Sequence, residues 1–383
     1  MKAVYFLLFF FYLSKGLSQT TTFFVAPVLT NEDYAVDQDS HMIIKNYDLQ
    51  NNMLFLFLGG TNSEPSNYFG LSNFAASLGF DAISLSYPNN IPAAFYSNNA
   101  DSLAFDKYRQ EVCFGTPLQF LVQVDTLNSI HTRAYNLLEY LSSEYPSDNW
   151  EQYLNGESLN WEKIIVAGHS QGGGHAAYFA KQHPLERVLM FASPNDYSNH
   201  FSNSGHWIRQ PGVTATERYF GYLSLYDEVV DFEKQFTNLE GLQLYPAYDS
   251  IEVDNSNFPF EESRVLYTTQ NWEPFLFHNT PVFNNVKNRE VWEYLLTTPI
   301  TSSNEEVFEE DVTIQIYPNP TSNWLNINIH QQTTLSKYSI VDMQGIVTTG
   351  RLEKNTKVDL STYENGVYFL CIGDRTYTIV KQN

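Results

Sequence analysis

Between about residues 40 and 300 the apolar residues fall into compact runs: MLFLFL (53–58), FDAISLSY (80–87), KIIVAG (163–168), RVLMFA (187–192), YFGYLSLY (219–226) and RVLYTT (264–269). Short runs with near-continuous apolarity predict strands buried on both faces. The segments between them carry a helical period. In LNSIHTRAYNLLEYL (127–141), Leu127, Ile130, Ala134, Leu137, Leu138 and Leu141 share one face. Strands alternating with helices predict an α/β fold, a doubly wound and mostly parallel sheet covered by helices. From Val312 onward the period changes to two, in VTIQIYPNP, LNINIH, YSIVD, GVYFLCI and TYTIVK. Short alternating strands separated by turn residues predict a small all-β sandwich. The acidic, Ser-rich TSSNEEVFEED (301–311) between the two patterns reads as a linker.

The first residues add a third pattern. Lys2 precedes an apolar stretch from Ala3 to Leu13, and the small residues Gly16 and Ser18 then suit a signal-peptidase site. The stretch is too short to span a bilayer comfortably. The expected organisation is a cleaved export signal at 1–18, a catalytic domain at 19–300, a linker at 301–311 and a β-sandwich at 312–383, with no transmembrane anchor. The formal net charge of -22 argues against nucleic acid or an anionic membrane surface as partner. Cys113 and Cys371 fall in different expected domains, so neither a disulfide framework nor a cysteine metal site is expected.

Candidate chemistry centres on Gly168-His169-Ser170-Gln171-Gly172. This G-x-S-x-G pentapeptide follows the strand KIIVA and opens the helical pattern GGHAAYFAKQH, the strand–turn–helix setting of a nucleophile elbow. A hydroxyl attacks only if a base takes its proton, so an acid and a histidine must follow in the order Ser, Asp, His. Asp227, at the end of YFGYLSLY, and His278, after RVLYTT, satisfy that order. Asp196 is the reserve acid. Glu228 and Asp231 are expected to face solvent. His200 and His206 precede Asp227 and break the order, His169 is the variable position of the elbow, and His175 is expected to be structural. Two backbone donors are needed for an oxyanion: Gln171 supplies one, and the loop Gly59-Gly60-Thr61-Asn62-Ser63 supplies the other from Thr61, or else Asn62. The long segments 87–115 and 196–218 leave the ligand side of the sheet and suit walls or a lid, with Trp207 as an exposed substrate contact.

Two resemblances follow from these residues. GHSQG (168–172), GGTN (59–62), Asp227 and His278 resemble the α/β-hydrolase superfamily over roughly 40–300. That implies a serine hydrolase working through an acyl-enzyme, without cofactor or metal, most simply on a carboxylic ester carried by a small molecule or polymer. The HGGG motif of lipases and esterases is replaced by GGTN. A serine peptidase uses the same triad, and an inactive hydrolase-like binding or adhesion protein is the reading from another class. IYPNPTSNWLNINI, DMQG (342–345), VDLSTYENGVYFLCI and the final TYTIVKQN resemble the C-terminal sorting domain of type IX secretion substrates. That implies recognition of 312–383 by the type IX machinery of a Bacteroidota-type cell, and release from the cell or attachment to its surface.

Overall fold

The computed structural model describes residues 20–34, 39–118, 122–244, 250–271, 276–300, 314–329, 337–342, 347–372 and 375–382. The expected leader at 1–18 and linker at 301–311 lie outside the described residues. The chain divides into two compact units, Met1–Ile300 and Thr301–Asn383.

Each of the six apolar runs forms a strand of one sheet. We number the strands β1 (Thr20–Val25), β2 (His41–Asn46), β3 (Leu54–Leu58), β4 (Asp81–Leu85), β5 (Ile164–His169), β6 (Arg187–Phe191), β7 (Tyr219–Ser224), β8 (Ser250–Glu252) and β9 (Val265–Thr268). Their order across the sheet is β1-β2-β4-β3-β5-β6-β7-β9-β8. All neighbours from β4 to β8 pair in parallel, while β1 and β2 add an antiparallel edge. Successive residues alternate between two cores: Leu54, Leu56 and Leu58 pack on one face, Phe55 and Phe57 on the other. Two apolar faces need two helical layers, which is why the strand sequences show no polar alternation.

The antiparallel strand β2 did not stand out as an apolar run because its HMIIKN mixes apolar residues with His41, Lys45 and Asn46, all buried. Lys45 Nζ is accommodated by Asp81 Oδ1 at 2.7 Å, by the Asp148 carbonyl at 3.0 Å and by the Trp150 ring. A buried ammonium persists only when paired in this way.

The helices that frame the site are α1 (Phe69–Ser77), α2 (Ala104–Phe114), α3 (Ile130–Glu144), α4 (Gln171–Gln182), α5 (Phe232–Gly241) and α6 (Val286–Thr297). Helix α3 buries Ile130, Ala134, Leu137, Leu138 and Leu141 on the expected face and is capped by Ser129, so Leu127, also expected on that face, precedes the helix. The chain runs from β3 to β4 on one side, then crosses to β5 on the other. Their carboxyl ends therefore flank a topological switch point, where a crevice opens in such sheets.

The C-terminal unit has two antiparallel sheets. One orders β10 (Ile314–Tyr317), β11 (Trp324–Ile329) and β14 (Asn355–Asp359). The other orders β13 (Val347–Arg351), β12 (Lys337–Val341), β15 (Gly366–Ile372) and β16 (Arg375–Lys381). Alternate residues such as Leu325, Ile327, Ile329, Leu370 and Ile372 form its core.

Candidate active site

Ser170 stands between β5 and α4 with φ 55° and ψ -123°. This backbone region is strained for a residue with a side chain and is held by the packed strand and helix on either side. The glycines two positions away have a steric cause. A Cβ on Gly168 would overlap the Gly172 backbone, and one on Gly172 would overlap the Leu58 carbonyl of β3. The Ser170 N–H donates to the Phe191 carbonyl of β6 at 2.9 Å, tying the turn to the next strand.

Asp227 and His278 meet across the loops after β7 and β9. His278 Nδ1 lies 2.7 Å from Asp227 Oδ2, and both side chains are buried. Asp227 is heavily solvated by protein donors. Its Oδ1 accepts from the N–H groups of Val229 at 2.8 Å and Val230 at 2.9 Å, and its Oδ2 also accepts from Gln235 Nε2 at 2.8 Å. Burial alone raises its pKa, but the His278 hydrogen bond and charge and the two backbone donors outweigh it and hold the carboxyl below its ordinary value. Asp227 is thus a carboxylate that fixes the His278 tautomer with Nδ1 protonated.

Ser170 and His278 line one cleft of about 430 Å³, together with Gly60, Thr61, Asn62, Val229, Asn279 and Phe283. Ser170 Oγ takes its side-chain hydrogen bond from Asn195 Nδ2 at 3.4 Å, a residue the sequence reading did not single out. A second cleft of about 300 Å³ also reaches Ser170, and its walls include Asn98, Asn195, Tyr197, Asp231 and Lys234. The segment 87–115 contributes Pro92, Ala93, Ala94, Ser97 and Asn98 to that wall, and 196–218 contributes Tyr197 and Asn199.

The loop after β3 sits against the elbow. Thr61 Oγ1 donates to Gln171 Oε1 at 3.1 Å, and Gln171 Nε2 donates to the Asn89 carbonyl at 2.8 Å. Of the two loop residues considered as donors, Asn62 already gives its N–H to Asn89 O at 3.3 Å, and among the described residues Thr61 N–H has no acceptor. Gln171 N–H is at the first position of α4, where no intrahelical acceptor exists. The geometry therefore sets Thr61 and Gln171 side by side, and Asn62 is occupied elsewhere.

Other candidates find structural roles. Asp196 is fully buried and receives Arg109 Nε at 2.9 Å and Trp207 Nε1 at 2.8 Å, so it cannot also serve a histidine. The expectation of an exposed Trp207 is corrected: it is 3% exposed, because its indole N–H is drawn inward to Asp196, and it lines neither cleft at Ser170. Arg109 Nη1 donates to the Gln171 carbonyl at 2.7 Å, and a Cβ on Gly174 would overlap the guanidinium. Glu228 accepts the His278 N–H at 3.2 Å, and Asp231 caps α5. His206 pairs with Asp106, His200 is exposed, and His175 is buried beside Cys113.

His169, the variable position of the elbow, does more than fill space. Gly60 N–H donates to Tyr68 Oη at 2.9 Å, Tyr68 Oη lies 3.1 Å from His169 Nδ1, and His169 Nε2 lies 3.1 Å from the His278 carbonyl. Since that carbonyl can only accept, Nε2 carries the proton and Nδ1 accepts from the tyrosine. Burial, then the neighbouring His278, push His169 down to about 3, so it stays neutral. The chain of bonds joins the loop after β3 to the loop of His278. Sequence offered no signal for it beyond an aromatic and a histidine near two candidate loops.

Among the described residues no cluster of His, Cys, Asp or Glu is grouped to hold a metal ion, and no helix is long and apolar enough to cross a membrane. Residues 315–383 match the family described as the secretion system C-terminal sorting domain. The chain is accordingly a type IX secretion substrate, secreted or displayed on the cell surface. No curated protein matches the chain. Among solved structures, TT1662 from Thermus thermophilus is 13% identical with a TM-score of 0.37, the match covering 72% of this chain and 98% of that one. A protein described as a dienelactone hydrolase from Klebsiella pneumoniae is 8% identical with a TM-score of 0.34, over 73% and 97% of the two chains. The esterase domain of a Rhodothermus marinus protein is 12% identical with a TM-score of 0.34, over 73% and 96%.

Proposed function

We propose that the N-terminal unit is a serine hydrolase that cleaves a carboxylic ester outside the cell, with Ser170 as nucleophile, His278 as base and Asp227 as its orienting acid. The observation that carries this reading is the 2.7 Å contact of His278 Nδ1 with Asp227 Oδ2 beside a cleft that His278 shares with the strained Ser170. His278 Nε2 takes the Oγ proton as Oγ bonds to the ester carbonyl carbon. The oxyanion is met by the N–H groups of Gln171 and Thr61. Nε2 then returns the proton to the leaving oxygen as the C–O bond breaks, and the alcohol departs from an acyl-enzyme. Water, deprotonated by the same nitrogen, hydrolyses that intermediate and restores Ser170. None of these steps calls for a metal or an organic cofactor.

A second reading keeps the site as a binding surface without turnover. It is favoured by one observation, that Ser170 Oγ bonds to Asn195 instead of His278. Hydrogen bonds to the base often form only in the substrate complex, so this does not weigh against catalysis. A fluorophosphonate probe decides between them. The wild-type chain is expected to label and Ser170→Ala to remain unlabelled. Absence of labelling in both, with short aryl esters untouched, would establish the binding reading.

A further inference from the structure

The two clefts that meet at Ser170 are not equivalent, and their difference restricts the substrate. This inference rests on the serine-hydrolase reading. His278 lines the larger cleft and not the smaller one. A single nitrogen must reach both Oγ and the leaving oxygen, so the leaving alcohol lies on the side of the histidine. The larger cleft, with Asn279, Val282 and Phe283, therefore receives the alcohol. The smaller cleft is left for the acyl group.

That smaller cleft sets a lysine and several amides among the apolar side chains Pro92, Ala93, Ala94, Val229 and Val230. Asn195 lines it: its Nδ2 donates to Ser170 Oγ at 3.4 Å, and its Oδ1 is buried with no hydrogen-bond partner among the described residues. Lys234 stands in its wall, its Nζ donating to Asn199 Oδ1 at 2.8 Å and lying 5.4 Å from the centre of the Tyr197 ring. Among the described residues Lys234 forms no ion pair. The one carboxylate in the cleft, Asp231, is turned into the cap of α5, where its Oδ1 accepts the N–H groups of Glu233 and Lys234. A long alkyl chain would cover the Lys234 ammonium without offering it a counter-charge, which is unfavourable.

We infer that the acyl group enters the cleft of Asn195 and Lys234 and carries a carboxylate at its far end, so that the substrates are half-esters of dicarboxylic acids.

Crossed ester pairs test this on the full chain. Mono-4-nitrophenyl adipate and 4-nitrophenyl hexanoate differ only in a terminal carboxylate on the acyl side. The butyrates of 4-hydroxybenzoic acid and of 4-cresol differ in a carboxylate on the leaving side. Ratios of kcat/KM within each pair are independent of the amount of folded enzyme. The adipate-to-hexanoate ratio is expected to exceed one, and Lys234→Met to lower it about fivefold, the scale of a half-exposed charge pair. Lys234→Glu is expected to invert it, with the leaving-side ratio unmoved by either change. An adipate ratio of one or less, or one that neither substitution moves, overturns the inference. So does a response confined to the 4-hydroxybenzoate pair, which would put Lys234 on the leaving side. Failure of all four esters, with no fluorophosphonate labelling, overturns the hydrolase reading beneath it.

Discussion

At the residue scale the most constrained side chain is Asp227. Its two oxygens take four donors: His278, Gln235 and the backbone N–H groups of Val229 and Val230. An asparagine in its place has one acceptor oxygen, which the two backbone donors at Oδ1 would claim. Its amide would then face Gln235 Nε2 and His278 Nδ1. To avoid two opposed donors, the imidazole would carry its proton on Nε2 and could not accept from Ser170. Asp227→Asn is therefore expected to lower kcat by on the order of 10⁴-fold, the size of the same tautomer error in other triads, while KM and the unfolding midpoint change little. Steady-state rates beside a urea titration would check this. A fall below tenfold would mean that Asp227 does not orient the base.

The candidate nucleophile Ser170 is read from local sequence, a strand, two glycines and a helix start, and the candidates Asp227 and His278 from chain order. The residues that support them could not be read in this way. Arg109, Asn195, Gln171 through its side chain, Tyr68 and His169 act through contacts between residues far apart in sequence, and no local pattern records those. Trp207 was misjudged for the same reason, since a polar loop around it suggested exposure and only the buried Asp196 explains its inward turn.

At the scale of elements, the parallel strands were legible because burial on both faces leaves near-continuous apolar runs. The antiparallel strands β1 and β2 and the short β8 were not, because Thr-rich and Lys-containing strands look like surface. In the C-terminal unit β13 and β14 were missed likewise: VTTGR and NTKVD alternate polar residues with few apolar ones. The join between α2 and the elbow carries its own prediction. Arg109 is fully buried, and its only carboxylate among the described residues is Asp196. Burial acts to lower the guanidinium pKa, but the Asp196 charge and hydrogen bonds reverse this, so it stays charged. Removing the carboxylate leaves an uncompensated buried cation whose Nη1 also holds the Gln171 carbonyl. Asp196→Ala is expected to cost about 3–5 kcal/mol of stability. The double change Asp196→Ala, Arg109→Met should recover part of that loss by removing the charge. Urea unfolding of the wild type and both variants tests both statements, and equal stability of single and double variants would contradict the second.

At the scale of the whole molecule, buried neutral histidines set how the N-terminal unit responds to acid. Burial pushes His41 and His169 down to about 3, and His175 well below its ordinary value. Each is unprotonated in the folded chain and takes up a proton on unfolding once the pH is below about 6.5. The unfolded state then binds more protons, so stability is complete above that value and is lost as the pH falls from 6.5 toward 3. Each histidine contributes a slope of about 1.4 kcal/mol per pH unit at most. Asp227, held below its ordinary value, adds a loss of the same sign at the acid end of the range. Asp81, which burial raises despite Lys45, opposes it just above 3.8. Burial also lowers His131 and brings His183 down to about 4, so unfolding free energy measured between pH 7 and 4.5 should fall with a slope of more than three protons. His169→Gln should remove one of them. Glutamine can accept from Tyr68 through Oε1 and donate to the His278 carbonyl through Nε2, so the bond chain from Gly60 to His278 survives while the titrating group is gone. A slope unchanged in His169→Gln would show that this histidine is protonated in the folded state, and the neutral link between the two loops would have to be abandoned.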